Sequence, residues 1–259
     1  PNDSHFGIPL TMESLVQSEL ISAEGKVEAL KDFYTPNESF TKNDSIGLFL
    51  SKFLGKEIVD RQIGPVLSGV YSGNIYDLTI ASTLPYLLDY KNESGSILKG
   101  LYENRSKFQS SGGKKFISFQ QGTQAIVRKM ESLLTNVDVI TGVRAERIEK
   151  TDERYIVTLA DQQVIEADEI VMSTPHDVTQ SILQSELLDE SFAQLKNSSL
   201  MSIYLGFDIS DERLPEDGTG FIVADESDLH CNACTWTSRK WEHTSDSGKL
   251  LVRLFYKSS

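Results

Sequence analysis

The stretch that most limits how this chain folds is QIGPVLSGVYSGNIYDLTI, residues 62–80. No charged side chain occurs from Gln62 to Tyr76, although 24% of the chain is Asp, Glu, Lys or Arg. Gly64, Pro65, Gly69 and Gly73 follow in close succession, which predicts short helices and turns rather than one helix. A core helix gains nothing from such glycines. A wall shaped around a ligand does, because a residue without Cβ lets another group approach the backbone.

Around this strip, residues 11–115 read as mostly helical. Thr11 is placed to cap a helix carrying Leu15, Val16 and Leu20. Ser45 is placed to cap another, on which Ile46, Phe49, Leu50, Phe53 and Leu54 recur at helical spacing as a core-facing stripe. The loop QSSGGKKF ends this part. From Lys114 the period changes: KFISFQ predicts a strand, Gly122 a turn, and the following residues an amphipathic helix with Ala125, Ile126, Met130, Leu133 and Leu134 inward. VDVITGV predicts a short buried strand, and the runs separated by TDER and ADQQ predict a β-meander. EIVMSTP then predicts a last strand ending at Pro175, and HDVTQSILQSELL a helix.

That order of elements resembles part of a nucleotide-binding α/β domain with its sheet covered on both faces. Ligands of open α/β sheets lie beyond the carboxyl ends of the strands, where Thr141–Val143 and Ser173–Pro175 fall. From residue 197 onward the chain is strand-rich: SSLMSIYLGFDIS, GTGFIVADE, CNACTWTS and GKLLVRLFYKSS each read as a strand.

Composition excludes several functions. With 38 acidic against 25 basic residues the net charge is −13, which argues against nucleic acid and against an anionic membrane surface. A bilayer span needs roughly 20 apolar residues in a row, and the glycine-broken strip does not supply them. The N-terminus lacks a basic start followed by an apolar run, so no secretory signal is expected; it also lacks Met, so an excised piece is expected. Cys231 and Cys234 form a C-x-x-C, but no second pair or suitably spaced histidines complete a zinc set. Two unbridged thiols in a reducing compartment, the cytoplasm, are expected instead. The histidines at 5, 176, 230 and 243 are scattered, and no G-x-G-x-x-G, P-loop, H-E-x-x-H or G-x-S-x-G motif occurs.

GKEIVDRQIGPVLSGVYSGNIYDLTI, GSILKGL, FISFQQGTQAIV, ADEIVMSTP and CTWTSRKWEHTSDSGKLLVRLF, in this order, resemble the middle of the protoporphyrinogen/coproporphyrinogen oxidase family of amine-oxidase-like flavoproteins. Each motif alone is weak; five in sequence are specific. The resemblance implies an FAD-dependent oxidase that converts a porphyrinogen to the porphyrin in haem biosynthesis, with O2 as acceptor and hydrogen peroxide as product. It also implies a fragment without the N- and C-terminal FAD-binding segments, inactive on its own. The implied fold is α+β: residues 1–115 the helical half of a substrate-binding domain, 116–190 an inserted middle segment of an FAD-binding α/β domain, and 191–259 the antiparallel-rich sheet half of the substrate domain.

By the same resemblance Thr79, Ser82, Thr83 and Pro85 become candidates for the substrate wall, Trp241 for stacking on a pyrrole ring, and Ile222 for the opposite side. An uncharged wall suits a flat, largely hydrocarbon macrocycle, and Trp offers such a ring a broad apolar face. For FAD the carried-over positions are Val143, whose backbone meets the adenine, and Ser173, Thr174 and Pro175, which line the approach to the flavin. One departure is Gln121-Gly122 where the family often has a double glycine. No acid–base residue and no metal are implied, because the flavin takes the hydride and the pocket orients the substrate. The competing expectations are a flavin amine oxidase or desaturase, and a non-catalytic porphyrin-binding module.

Overall fold

The structure, a computed structural model, describes residues 4–71, 73–108, 117–183, 190–197, 199–224, 227–245 and 248–257. The chain forms two compact units, one of Pro1–Gly122 with Ser198–Ser259 and the other of Thr123–Asn197.

The first unit opens with a small hairpin, β1 (Ser4–His5) and β2 (Ile8–Pro9), turning through Phe6 and Gly7 at positive φ. Thr11 caps α1 (Met12–Gln17): its side chain accepts from the Ser14 amide, and the Ser14 hydroxyl reaches back to the Thr11 backbone. Only Leu15 of that helix is buried, while Val16 and Leu20 are exposed. Ser22 caps α2 (Ala23–Ala29), and Ser45 caps α3 (Ile46–Leu54), on which Ile46, Phe49, Leu50, Phe53 and Leu54 enter the core as their spacing predicts, while Leu48 is exposed.

The chain from Lys56 to Tyr71 departs from expectation. It runs through α4 (Lys56–Ile58), a π-helical turn (Val59–Ile63) and α5 (Gly64–Tyr71), so helix continues across Gly64-Pro65. The reason is steric. A proline has no amide hydrogen and crowds the carbonyl of the preceding turn, and a wide π turn relieves that clash. A side chain at Gly64 would sit 2.7 Å from the Val59 carbonyl oxygen, so the same turn requires a glycine. The helix ends before Gly73 and Asn74, where the Asn74 side chain accepts from the Tyr76 amide and its carbonyl from the Asp77 amide. Two further helices, α6 (Pro85–Ser94) and α7 (Ile97–Glu103), complete the helical layer around one apolar core. The expected loop QSSGGKKF (109–116) lies outside the described residues, and with it the first two residues of the expected strand KFISFQ (115–120); 117–120 form no strand.

The second unit begins with α8 (Gln124–Glu131), which follows a turn at Gly122 closed by a hydrogen bond from its amide to the Phe119 carbonyl. The expected meander is present as β3 (Ala145–Lys150), β4 (Tyr155–Leu159) and β5 (Val164–Ala167), antiparallel in that order. Thr151 and Arg154 close the first turn, and Gln162 at positive φ makes the second. Helix α9 (His176–Leu183) packs on β3, burying Ile182. The rest of the helix prediction, 184–188, lies outside the described residues.

Three readings are corrected here. The inward stripe of α8 is exposed at Ile126, Met130, Leu133 and Leu134; VDVITGV forms no strand and exposes Val137, Val139 and Ile140; and EIVMSTP forms no strand, with Val171 95% exposed. An apolar run becomes a strand only where a partner supplies the ladder hydrogen bonds. None pairs with these runs among the described residues.

Back in the first unit, β6 (Leu200–Ser210), β9 (Lys249–Lys257), β8 (Ala233–Trp236) and β7 (Gly220–Ile222) form an antiparallel sheet in that order. Cys234, Trp236, Leu250 and Val252 are its buried cluster. The run CNACTWTS leaves the strand earlier than its sequence suggests: Thr237 starts a short helix, α10 (Thr237–Lys240), with Thr237 and Ser238 buried.

Candidate functional site

Helix α5 and the β7–β8 hairpin belong to the same unit, and between them lies a cavity of about 730 Å³, a volume in the usual range for organic ligands. One wall is the uncharged strip: Pro65, Val66, Ser68, Gly69 and Val70, preceded by Arg61 and Gln62. The opposite wall runs from Thr219 to Val223 on one strand and from Asn232 to Thr235 on the other. Leu20, Leu200, Phe255 and Lys240 complete the lining.

Local structure explains each wall. Gln62 is fixed at the foot of α5, where its amide donates to the Gly7 carbonyl at 2.6 Å and its oxygen accepts from the Ser18 hydroxyl at 2.7 Å. Gly69 faces open space, so the backbone itself is presented to a ligand. On the sheet side the strands pair Phe221 with Cys234 and Ile222 with Ala233. They approach so closely that a Cβ at Gly220, itself at positive φ, would meet the Cys234 carbonyl at 2.2 Å.

The cavity is largely apolar, and its chemistry is set by a few groups. Arg61 is held by Glu57 one turn back, with Nη1 to Oε1 3.0 Å. Glu57 also accepts from the Ser22 hydroxyl and amide; these two hydrogen bonds, the hydroxyl first, hold its carboxyl below the ordinary value against burial, and Arg61 adds the smallest contribution in the same direction. The Cys234 thiol is pushed up by burial and by its neighbour Cys231, which keeps that wall neutral. Both cysteines are free.

The residues singled out from sequence distribute unevenly. Ile222 lines the cavity. Trp241 is half-buried just past the end of α10, next to the lining residue Lys240 but outside the lining itself, its ring 6.4 Å from that of His243. Thr79, Ser82, Thr83 and Pro85 form the turn into α6. Thr79 accepts from the Ser82 amide, Thr83 donates to the Thr79 carbonyl at 2.9 Å, Tyr71 donates to the Thr83 carbonyl at 3.0 Å, and Pro85 is the first residue of the helix. Their polar groups serve the turn, and none of the four is in the lining. Sequence reasoning missed Arg61, Lys240, Phe221, Cys234 and Phe255. The pairing of β7 with β8 was the signal for Phe221 and Cys234, because Ile222 was already a candidate.

In the second unit, Val143 precedes β3, and Ser173, Thr174 and Pro175 precede α9, which packs on β3. Gly142 is at positive φ with nothing within 4 Å of where its Cβ would lie, and Ser173, Thr174 and Pro175 are exposed. Open backbone and small side chains of this kind fit a dinucleotide that lies close to the chain. The Thr174 hydroxyl is shared with Thr179 at 2.8 Å, which fixes the approach to α9.

Comparison with known proteins places the chain in a family. The chain is 30% identical over 265 residues to a coproporphyrinogen III oxidase of Bacillus subtilis (strain 168), covering 98% of this chain and 55% of the relative. It is 28% identical to a coproporphyrinogen III oxidase of Staphylococcus aureus, covering 98% and 57%. It therefore spans about half the length of the curated relatives it matches. The solved structure of a protein from Exiguobacterium sp. 255-15, provisionally named a protoporphyrinogen oxidase, superposes with a TM-score of 0.83 at 26% identity, over 99% of this chain and 55% of that one. Residues 2–256 match the family described as flavin containing amine oxidoreductase, and the chain belongs to that family.

Proposed function

We propose that this protein acts in the FAD-dependent oxidation of a porphyrinogen to the porphyrin, with O2 as acceptor, as a step of haem biosynthesis. The observation that carries the reading is the cavity between α5 and the β7–β8 hairpin, an uncharged helical wall facing Phe221 and Ile222. Two opposed apolar walls of this size suit a flat macrocycle. Coproporphyrinogen III is the preferred substrate. Relatives named for it cover 96–98% of the chain at 23–30% identity, against 77% at 23% identity for a bovine protoporphyrinogen oxidase.

In this reading residues 1–115 and 191–259 are the two halves of a substrate-binding domain, and 116–190 is a segment of a flavin-binding domain. Val143, Ser173, Thr174 and Pro175 hold FAD, which when bound supplies the two-electron acceptor. Val66, Val70 and Ile222 orient the ring and exclude water. Trp241 stacks at the edge of the site beyond Lys240, and Thr79, Ser82, Thr83 and Pro85 shape the end of the helical wall through the turn they close. The pocket contributes positioning, and no side chain acts as acid or base. A cytoplasmic location is part of the proposal, supported by the free thiols of Cys231 and Cys234. Among the described residues no helix is long and apolar enough to cross a membrane.

The test is anaerobic addition of coproporphyrinogen III to the intact, flavin-loaded protein. Bleaching of the flavin absorbance together with the rise of porphyrin fluorescence is expected. Unchanged flavin absorbance with a porphyrinogen in excess overturns the proposal.

A further inference from the structure

The sheet that walls one side of the cavity carries a cation without a countercharge. Arg253 lies on β9, directly opposite Thr235 of β8 on one side and Tyr204 of β6 on the other. Residues paired across an antiparallel ladder, and residues two apart along a strand, share a face of the sheet. Thr235 and Phe255 line the cavity. Arg253, opposite the first and two residues before the second, therefore stands on the cavity-facing side, one step beyond the lining.

Its head group leans towards the cavity. The guanidinium carbon is 4.5 Å from the centre of the Phe255 ring and 5.3 Å from that of Tyr204, and Nη2 donates to the Ser202 hydroxyl at 3.3 Å. Ser202 is the partner of Phe255 across the β6–β9 ladder, so the side chain runs along β9 towards a lining residue. Two aromatic faces and a hydroxyl hold a guanidinium in place without neutralising it. Among the described residues no carboxylate comes within ion-pair distance of Arg253. Its Nε is shielded from solvent and has no hydrogen-bond partner. A shielded donor left unpaired costs its desolvation, and most such groups in native proteins are paired. The group that completes this one presents two oxygens side by side, to Nε and to a neighbouring Nη, which is the geometry of a carboxylate on a guanidinium fork.

Resting on the porphyrinogen reading above, we propose that Arg253 binds one propionate carboxylate of the macrocycle, with the ring seated against Phe255 and the sheet wall. The apolar body fills the cavity, and the acidic arm passes Phe255 to reach the cation. Arg253 touches no reacting bond. It is a positioning residue that fixes the rotation of the ring within the cavity and adds affinity for the free acid.

The test is fluorescence titration of the intact protein with coproporphyrin III and with its fully esterified form, for wild type, Arg253→Met, Arg253→Lys and the remote control Lys52→Met. Wild type is expected to bind the acid more tightly than the ester. Arg253→Met binds the acid about tenfold more weakly, the scale of one hydrogen bond to a charged group. Its ester affinity stays at the wild-type value, which a purely structural role for Arg253 would not allow and which also shows that the variant is folded. Arg253→Lys restores part of the loss, and Lys52→Met has no effect. Three results overturn the anchor while leaving the macrocycle site standing: equal wild-type affinity for acid and ester, an Arg253→Met protein that binds the acid as wild type does, or one that loses acid and ester alike. A wild-type protein that binds neither porphyrin overturns the anchor together with the reading it rests on.

Discussion

The Lys91 ammonium lies 2.8 Å from Oδ1 of Asp32, with both side chains wholly shielded from solvent. Lys91 also donates to the Asp32 and Gly95 carbonyls and sits 4.3 Å from the centre of the Phe53 ring. Asp32 accepts from the Ser96 hydroxyl and the Leu98 amide at the start of α7. One buried pair thus ties the segment after α2, the end of α6 and the start of α7 into the layer that supports the helical wall.

Removing one member strands the other in a medium that cannot solvate it. Asp32→Ala is expected to destabilise the protein by about 3–5 kcal/mol, read from urea denaturation. A loss below about 1 kcal/mol contradicts the role given to this pair.

Gly64→Ala forces a methyl group against the Val59 carbonyl, which a Cβ would approach to 2.7 Å. The π turn must shift, and α5 with it. Stability is expected to fall by about 1–3 kcal/mol, and coproporphyrin affinity with it. Gly69→Ala, where a Cβ meets no atom within 4 Å, should be far milder in denaturation while still narrowing the cavity.

Tyr86 gives a pH dependence. Its hydroxyl lies 2.6 Å from His5 Nε2, and burial first, then the nearby Tyr71 and Tyr90 phenols, push its ionisation well above the ordinary phenol value. Tyr90 shifts the same way, chiefly through burial. A folded-state value above the unfolded one means this contribution is fully present below about pH 10, the unfolded phenol value, and is lost as pH rises through the folded value. Melting temperature should therefore decline above about pH 10, and Tyr86→Phe should flatten that decline. An identical alkaline slope in the variant contradicts the assignment.

Ile222→Glu places a carboxylate in the apolar sheet wall, where the proposed macrocycle presents hydrocarbon. Coproporphyrin affinity should fall by at least about tenfold. Trp241→Ala should weaken binding by about three- to tenfold, the scale of an aromatic contact. Equal affinities for wild type and both variants, measured by fluorescence quenching, would remove the sheet side from the site.

Much of the fold was legible in local chemistry. Thr11 and Ser45 cap helices because their hydroxyls serve amides that have no helical partner. The meander was readable because polar turns at 151–154 and 160–163 separate its short strands. The passage of helix through Gly64-Pro65 was not, because breaker rules assume an α turn and the π turn answers to tertiary packing. Residues 137–143 and 169–175 misled for the opposite reason: β-branched runs mark strands only where a neighbour completes the ladder. In the site, the strip before Val70 was legible as an uncharged wall, and Ile222, which also lines the cavity, came from the family resemblance. Arg61 and Lys240 were not, since a charged side chain in sequence looks like solvated surface until the fold shows what it faces.

The most direct measurement is a crystal structure of the intact protein with coproporphyrin III bound. The account predicts the macrocycle between α5 and β7–β8, in van der Waals contact with Val66, Val70 and Ile222. A porphyrin bound elsewhere, with this cavity occupied only by solvent at saturating ligand, contradicts it.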